Sequence, residues 1–487
     1  MPTYRIEEKN AAPIRAEGDF VLYWMIAARR VRWNIALDRA LEWATELGKP
    51  LLVFEALRCD YRWASDRIHR FVLDGMAVNG AALEGTGIGY YPYVELRKGA
   101  GKGLLEALAE RAAVVVTDEF PTFFLPQMVE AAAARVAVKL EAIDSNGLLP
   151  IRATDRCFTR AYDFRRFLQK NLPDYLADMP VEAIASDTDL PRFKVVPKDV
   201  AERWPRASDN LLAAESDLSA LPIDHSISPV ESRGGFRAGQ HQLDRFLEDR
   251  LEQYGEDRNQ PEESATSGLS PYLHFGHVSA HQILDAVARR EDWSPWKLGD
   301  DRRGARQGWW NLRPSTESFL DELVTWRELG YNFCFHRPDH AMYSALSDWA
   351  RETLAAHAGD VRPYLYSLEE FEQAQTHDDL WNAAQNELRA SGRIHNYLRM
   401  LWGKKILHWS RSPQEALDIM IELNNKYAID GRNPNSYTGI LWVLGRFDRA
   451  WGPERPVFGK VRYMSSRNTR RKIRVNGYIQ HWTAPFA

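Results

Sequence analysis

Three cysteines, at positions 59, 157 and 334, are too few, too scattered and odd in number for a disulfide framework, and none has a neighbour at metal-binding spacing. They read as buried thiols. No uninterrupted apolar stretch approaches the roughly 20 residues of a membrane span. The opening residues, MPTYRIEEKN, lack the basic-then-apolar order of a secretion signal. The expectation is a cytoplasmic chain with no membrane association. No repeat of about 30 to 45 residues points to a solenoid. Acid is missing from one place in particular: residues 459–475, GKVRYMSSRNTRRKIRV, hold Lys460, Arg462, Arg467, Arg470, Arg471, Lys472 and Arg474 and no carboxylate. The net charge of −4 argues against nucleic acid only if charge is spread evenly, and here it is not. By itself such a run reads equally as a solvated face. Tryptophan, by contrast, is abundant, with 17 residues.

A chain of 487 residues exceeds one ordinary core, so two domains and a connector are expected. Over 1–150 the segments DFVLYWM, PLLVFEAL, IGYYPYVE, AAVVVTDEF and VAVKLEAID read as five strands alternating with helices such as RWNIALDRALEWATEL. That alternation predicts an α/β domain with a doubly wound parallel sheet. GAGKG at 99–103 lacks the hydroxyl residue and the spacing of a phosphate loop, so it reads as a turn opening the helix that follows. Residues 151–235 carry seven prolines and read as a connector with helical pieces. Residues 236–487 have helical periodicity almost throughout, predicting a large all-α domain.

Several stretches of the helical half carry chemistry. SATSGLSPYLHFG (264–276) sets small hydroxyl residues and a glycine before a helix, which suits either an ordinary cap or an anion such as a diphosphate. His274, His277 and His281 lack a carboxylate to complete a metal set and read as structural; no metal site is expected. In FLDELVTWRELGYNF, Glu322 and Trp326 lie four apart, on one face of a helix, suited to holding a planar heterocycle by stacking and hydrogen bonding. In RMLWGKKILHW, Trp402 and Trp409 lie about 20° short of two full turns apart, on one stripe. Core packing explains a stripe; Arg399 beside it needs an anion, and YAIDGRNPNSYTGILW offers Asp430.

In this order, SPYLHFG, FLDELVTWREL, HDDLWNAAQNELRASGRIHNYLRMLWGKKILHW, LNNKYAIDGRNPNSYTG and DRAWGPERPVFGKVRYM resemble the class II cyclobutane pyrimidine dimer photolyases, flavin-dependent DNA-repair enzymes of the photolyase and cryptochrome superfamily. The likeness is strong over about 236–475; the N-terminal half is compatible with the family's antenna domain. The resemblance implies FAD folded into the helical domain, with Tyr254 and the loop Thr266, Ser267, Gly268, Leu269 and Ser270 at its phosphates, and Arg399, Asn424, Asp430, Gly431 and Asn435 around the flavin. It places Glu322, Trp326, Met400 and Trp442 around a flipped-out dimer, Trp381, Trp402 and Trp409 in an electron-hopping chain from solvent to flavin, and Arg327, Arg449, Lys460 and Arg462 on DNA. The implied activity is light-driven repair by electron transfer from photoexcited FADH⁻ to the dimer, the extruded lesion being held against the cofactor.

The implied partner is DNA containing pyrimidine dimers, bound by a monomer without an obligate protein partner, in the cytoplasm at the nucleoid. The resemblance leaves room for an 8-hydroxy-5-deazaflavin-type antenna chromophore, although MIAARRVRWN lacks the acidic residues usual near the family's N-terminus. Asn396, which resembles the class I residue at that place more than the glycine of some class II members, and Asn433, where an aspartate is frequent, are further departures. The alternative is a cryptochrome-like FAD photosensor without repair activity.

Overall fold

The computed structural model describes residues 2–182 and 190–483, which form two compact units. The first comprises residues 1–154, 172–245 and 268–295; the second comprises 155–171, 246–267 and 296–487.

The first unit is built on a six-stranded sheet: β1 (Ile6–Glu8), β2 (Phe20–Met25), β3 (Leu51–Leu57), β4 (Gly89–Val94), β5 (Ala112–Asp118) and β6 (Leu140–Ile143), in the order β1-β6-β5-β2-β3-β4. All neighbours are parallel except β1, which pairs antiparallel with β6. This is the α/β architecture expected from the alternating pattern. The three-residue β1 was not among the five expected strands, being too short to show a period. Burial on both faces explains the continuous apolar runs of the inner strands. Val21, Tyr23 and Met25 of β2 pack with α1 (Ile35–Leu47), while Phe20, Leu22 and Trp24 point the other way, toward α3 (Leu104–Ala109) and α4 (Leu125–Ala133). Asn34 caps α1, accepting from the amides of Ala36 and Leu37. Helix α2 (Asp66–Leu83) follows β3. The turn at 99–103 opens α3 as expected, with Gly103 at φ 91°.

The second unit is helical. Its central elements are α5 (Ala161–Asn171), α6 (Pro314–Leu320), α7 (Arg327–His336), α8 (Asp379–Ser391), α9 (Asn396–Trp409), α10 (Pro413–Tyr427), α11 (Pro434–Val443), α12 (Ser466–Lys472) and α13 (Asn476–Thr483). Two features depart from a simple helical reading. The run from Asp379 to Trp409 is two helices, because Gly392 takes the left-handed conformation (φ 69°) that ends α8. Between α6 and α7, Asp321–Trp326 forms a π-helical turn. Helix α9 meets α11 very closely: a Cβ on Gly403 would stand 2.5 Å from Val443 Cγ2 and 3.0 Å from Met420 Sδ of α10. No helix among the described residues is long and apolar enough to cross a membrane.

Candidate functional site

The second unit gathers most of the residues singled out in the sequence. Glu322 and Trp326 both lie on the π-helical turn, half-buried, the widened turn interrupting the regular ladder where such distortions commonly mark function. Glu322 forms a short ion pair with Arg258, a partner that sequence reading missed because 64 residues separate them. The Arg258 guanidinium also lies over the Tyr254 ring, 5.7 Å from its centroid. Tyr254 is buried edge-to-face against Phe246 and Phe319. Burial, with the nearby Glu322 charge, pushes its phenol up to about 12.

Helix α9 delivers Arg399, whose Nη2 stands 3.7 Å from Asp430 Oδ1. Arg399 Nε is buried and has no hydrogen-bond partner. A guanidinium with a loose ion pair and an unused donor is incomplete by itself and fits a polar, planar ligand such as the flavin of FAD. Asn424, near the end of α10, is buried and donates to Asn425 Oδ1 at 3.1 Å. The turn between α10 and α11 is held by Arg432, another residue sequence reading passed over. Arg432 takes a left-handed conformation (φ 67°) and donates to the carbonyl of Asn425, in the last turn of α10, and to that of Ile429 in the turn beyond it. Asn433, noted as a departure, caps α11 by accepting from the Asn435 amide at 2.9 Å, a task that asparagine performs as well as aspartate. Asn435 packs where α7 passes, since a Cβ on Gly330 would lie 2.5 Å from its Oδ1. A Cβ on Gly431 would meet the Asn424 carbonyl at 2.8 Å, so this turn closes tightly on α10.

The tryptophans form a buried group. Trp381 and Trp409 are 0% and 1% exposed, with ring centroids 6.1 Å apart, and the Trp381 indole N–H donates to the Trp402 carbonyl at 3.0 Å. The Trp402 indole N–H donates to Gln385 at 2.9 Å. All three are buried. Further rings continue outward: Tyr366 lies edge-on to Trp409 at 5.6 Å and pairs through its hydroxyl with His377 Nδ1 at 2.7 Å, and the exposed Tyr364 stacks on His377 at 3.7 Å.

A second group sits at the end of α11. Trp442 is half-buried, with Lys404 Nζ 4.9 Å and the Arg462 guanidinium 5.7 Å from its ring centroid. Arg462 also lies over Trp451 (4.9 Å), and Arg449 over the same ring (4.7 Å). Lys404 was not singled out in the sequence; only its complete burial shows it to be unusual. Met400 precedes it by one helical turn on α9. Lys460 is exposed and pairs with Glu454 at 3.3 Å. Arg327 differs from these surface cations: it is buried against Tyr331, whose hydroxyl accepts from it at 3.1 Å. Within the basic run, Arg470 and Arg474 are paired with Asp379 and Glu263, so part of that run is satisfied internally.

Of the loop expected at the phosphates, Thr266 and Ser267 belong to the second unit and Gly268, Leu269 and Ser270 to the first. Leu269 is buried. The helix that follows, Ser270–His274, is a single turn with Leu269 at its N-cap and no side-chain cap hydrogen bond from that residue. His277 is buried and its Nδ1 accepts from the Gly235 amide at 2.8 Å, within the first unit.

No family model matches the sequence. A deoxyribodipyrimidine photo-lyase from Methanothermobacter thermautotrophicus is 34% identical over 477 residues, covering 98% of this chain and 97% of that protein. The chain belongs to the deoxyribodipyrimidine photo-lyase family. A second photo-lyase, from Arabidopsis thaliana, is 33% identical over 470 residues, 95% of this chain and 88% of that one. Among solved structures, a bacterial class III photolyase from Agrobacterium tumefaciens shares the fold with a TM-score of 0.64 at 16% identity, over 97% of this chain and 87% of that chain. Family membership agrees with the FAD expected for the helical unit, FAD being the family's general cofactor.

Proposed function

We propose that the chain is a class II photolyase that uses light to split cyclobutane pyrimidine dimers in DNA. The observation that carries this reading is the π-helical turn presenting Glu322 and Trp326 together, half-buried, in the unit that also holds the Arg399–Asp430 pair. A carboxylate and an indole so placed hold a flat, hydrogen-bonding lesion by its edge and its face.

FAD, when bound, reduced and photoexcited, supplies the electron whose addition opens the cyclobutane ring. The protein does the rest. Arg399 and Asp430 would hold the flavin end of the cofactor, with Asn424, Gly431 and Asn435 beside them. Tyr254, Thr266 and Ser267 of the second unit would form its phosphate side. Trp326, Met400 and Trp442 wall the space for an extruded dimer, which unstacks at lower cost than an intact pair. Glu322, oriented by its ion pair with Arg258, meets the edge of the dimer. Arg449, Lys460 and Arg462 meet the backbone and the gap left in the duplex; Arg327, being buried, steadies the helix behind Trp326 instead. Trp381, Trp402 and Trp409, continued by Tyr366, would provide a path for electrons from an external donor toward the flavin site.

An antenna chromophore is a separate matter for the first unit. There Tyr61, Trp63, Phe123 and Phe124 cluster after β3 and β5, at the carboxyl end of the sheet where such folds bind planar ligands. This supports a flat chromophore at that end.

The specificity is tested by illuminating chemically reduced protein with oligonucleotides carrying either a thymine dimer or a (6-4) photoproduct. Restoration of the dimer alone is expected. Repair of the (6-4) lesion alone would overturn the assignment of lesion, and bound FAD with repair of neither would favour a photosensor.

A further inference from the structure

Lys404 is wholly buried, yet no carboxylate among the described residues lies within ion-pair distance of it. Its Nζ donates to the Val443 carbonyl at 2.6 Å, one of the groups that the end of α11 leaves without a helical partner. Its remaining contact of note is the Trp442 ring, 4.9 Å away. A buried ammonium satisfied by one carbonyl and one π face is costly to keep charged. Lys404 is also the inner end of a continuous series: Lys404 on Trp442, Arg462 on Trp442, Arg462 on Trp451, and Arg449 on Trp451. Cations and indoles alternate from a buried lysine to two exposed arginines.

Resting on the repair reading above, we infer that Lys404 is a positioning residue for Trp442: its charged ammonium fixes the indole that walls the dimer site, and its proton is coupled to DNA binding through Arg462. The physical link is repulsion. Two charges act on Lys404 from the segment beyond α11, Asp448 attracting and Arg462 repelling, while α10 and α11 bring Met420, Trp442 and Val443 against its turn of helix. When Arg462 engages DNA, its charge is neutralised by phosphate and its repulsion of Lys404 falls, so the bound state favours the proton.

Burial, reinforced by Arg462, pushes the Lys404 ammonium down to about 7. An unfolded lysine stays charged up to about pH 10.4. Between those values the unfolded chain holds the extra proton, so this group makes the fold more stable, not less, as pH rises. Loss of dimer binding over that interval therefore does not come from this group weakening the fold.

The test is calorimetric titration of FAD-loaded protein with a single-dimer oligonucleotide and its undamaged counterpart, in two buffers of different ionisation heat, from about pH 6 to about pH 9. Wild-type protein is expected to take up a fraction of a proton on binding the dimer, with affinity falling as pH rises by at most about tenfold per pH unit, the limit for one proton. In Lys404→Met and Lys404→Gln the uptake and the slope should both disappear, and the preference for damaged DNA should weaken. Dimer preference in wild type without proton uptake or slope would overturn the role of Lys404 alone, and that result needs no variant. A variant that keeps both would do the same. Equal affinity for damaged and undamaged DNA in wild type would overturn the dimer site itself.

Discussion

Arg399 illustrates what a single residue contributes here. Its guanidinium is tethered to Asp430 at 3.7 Å and keeps one buried donor unused. Removing the anion leaves a partly buried charge uncompensated, at a cost of about 1–3 kcal/mol. Asp430→Asn is accordingly expected to weaken FAD retention by about tenfold to a hundredfold, measured by flavin release during dialysis. Arg258 acts at the same scale. With Glu322 left without its cation in Arg258→Met, the carboxylate loses the contact that orients it, and repair per absorbed photon is expected to fall while FAD stays bound; unchanged quantum yield would show that the pair is only structural.

At the level of elements, the close contact of α9 with α11 makes a sharper demand than any one side chain. Gly403→Ala places a Cβ within 2.5 Å of Val443, and overpacking of this kind costs about 1–3 kcal/mol. A lowered midpoint in thermal or urea unfolding is expected, along with a displaced Trp442. The buried indoles give a second element-scale expectation. Trp402→Phe should retain FAD but lose most of its photoreduction by external donors, while protein reduced with dithionite should repair as the wild type does. Impaired repair after chemical reduction would mark Trp402 as packing alone. The helices bearing these groups were legible in the sequence from their apolar spacing, but the break at Gly392 that divides them was not. Other features were not legible. The π-helical turn keeps the same apolar pattern as an α-helix, Arg258 meets Glu322 across 64 residues, and nothing local to Lys404 reports that it is buried.

For the whole molecule, charge is distributed rather than excessive. A net charge of −4 coexists with Arg449, Lys460 and Arg462 on one segment after α11. Binding to DNA should therefore weaken steeply with salt, and Arg462→Ala should reduce the slope of log affinity against log salt by about 1 if it neutralises one phosphate. The parallel sheet of the first unit and the helices of the second were both visible in the sequence as alternating and 3.6-residue patterns. The membership of residues 236–245 and 268–295 in the first unit was not, since helical periodicity does not say which core a helix joins. Light-driven splitting of pyrimidine dimers remains the reading on which the rest depends. It is tested most directly by mixing reduced, FAD-loaded protein with an oligonucleotide bearing one thymine dimer and comparing blue light with darkness. Intact thymines should reappear in the illuminated sample and not in the dark one; equal amounts in both, or none in either, would contradict the assignment.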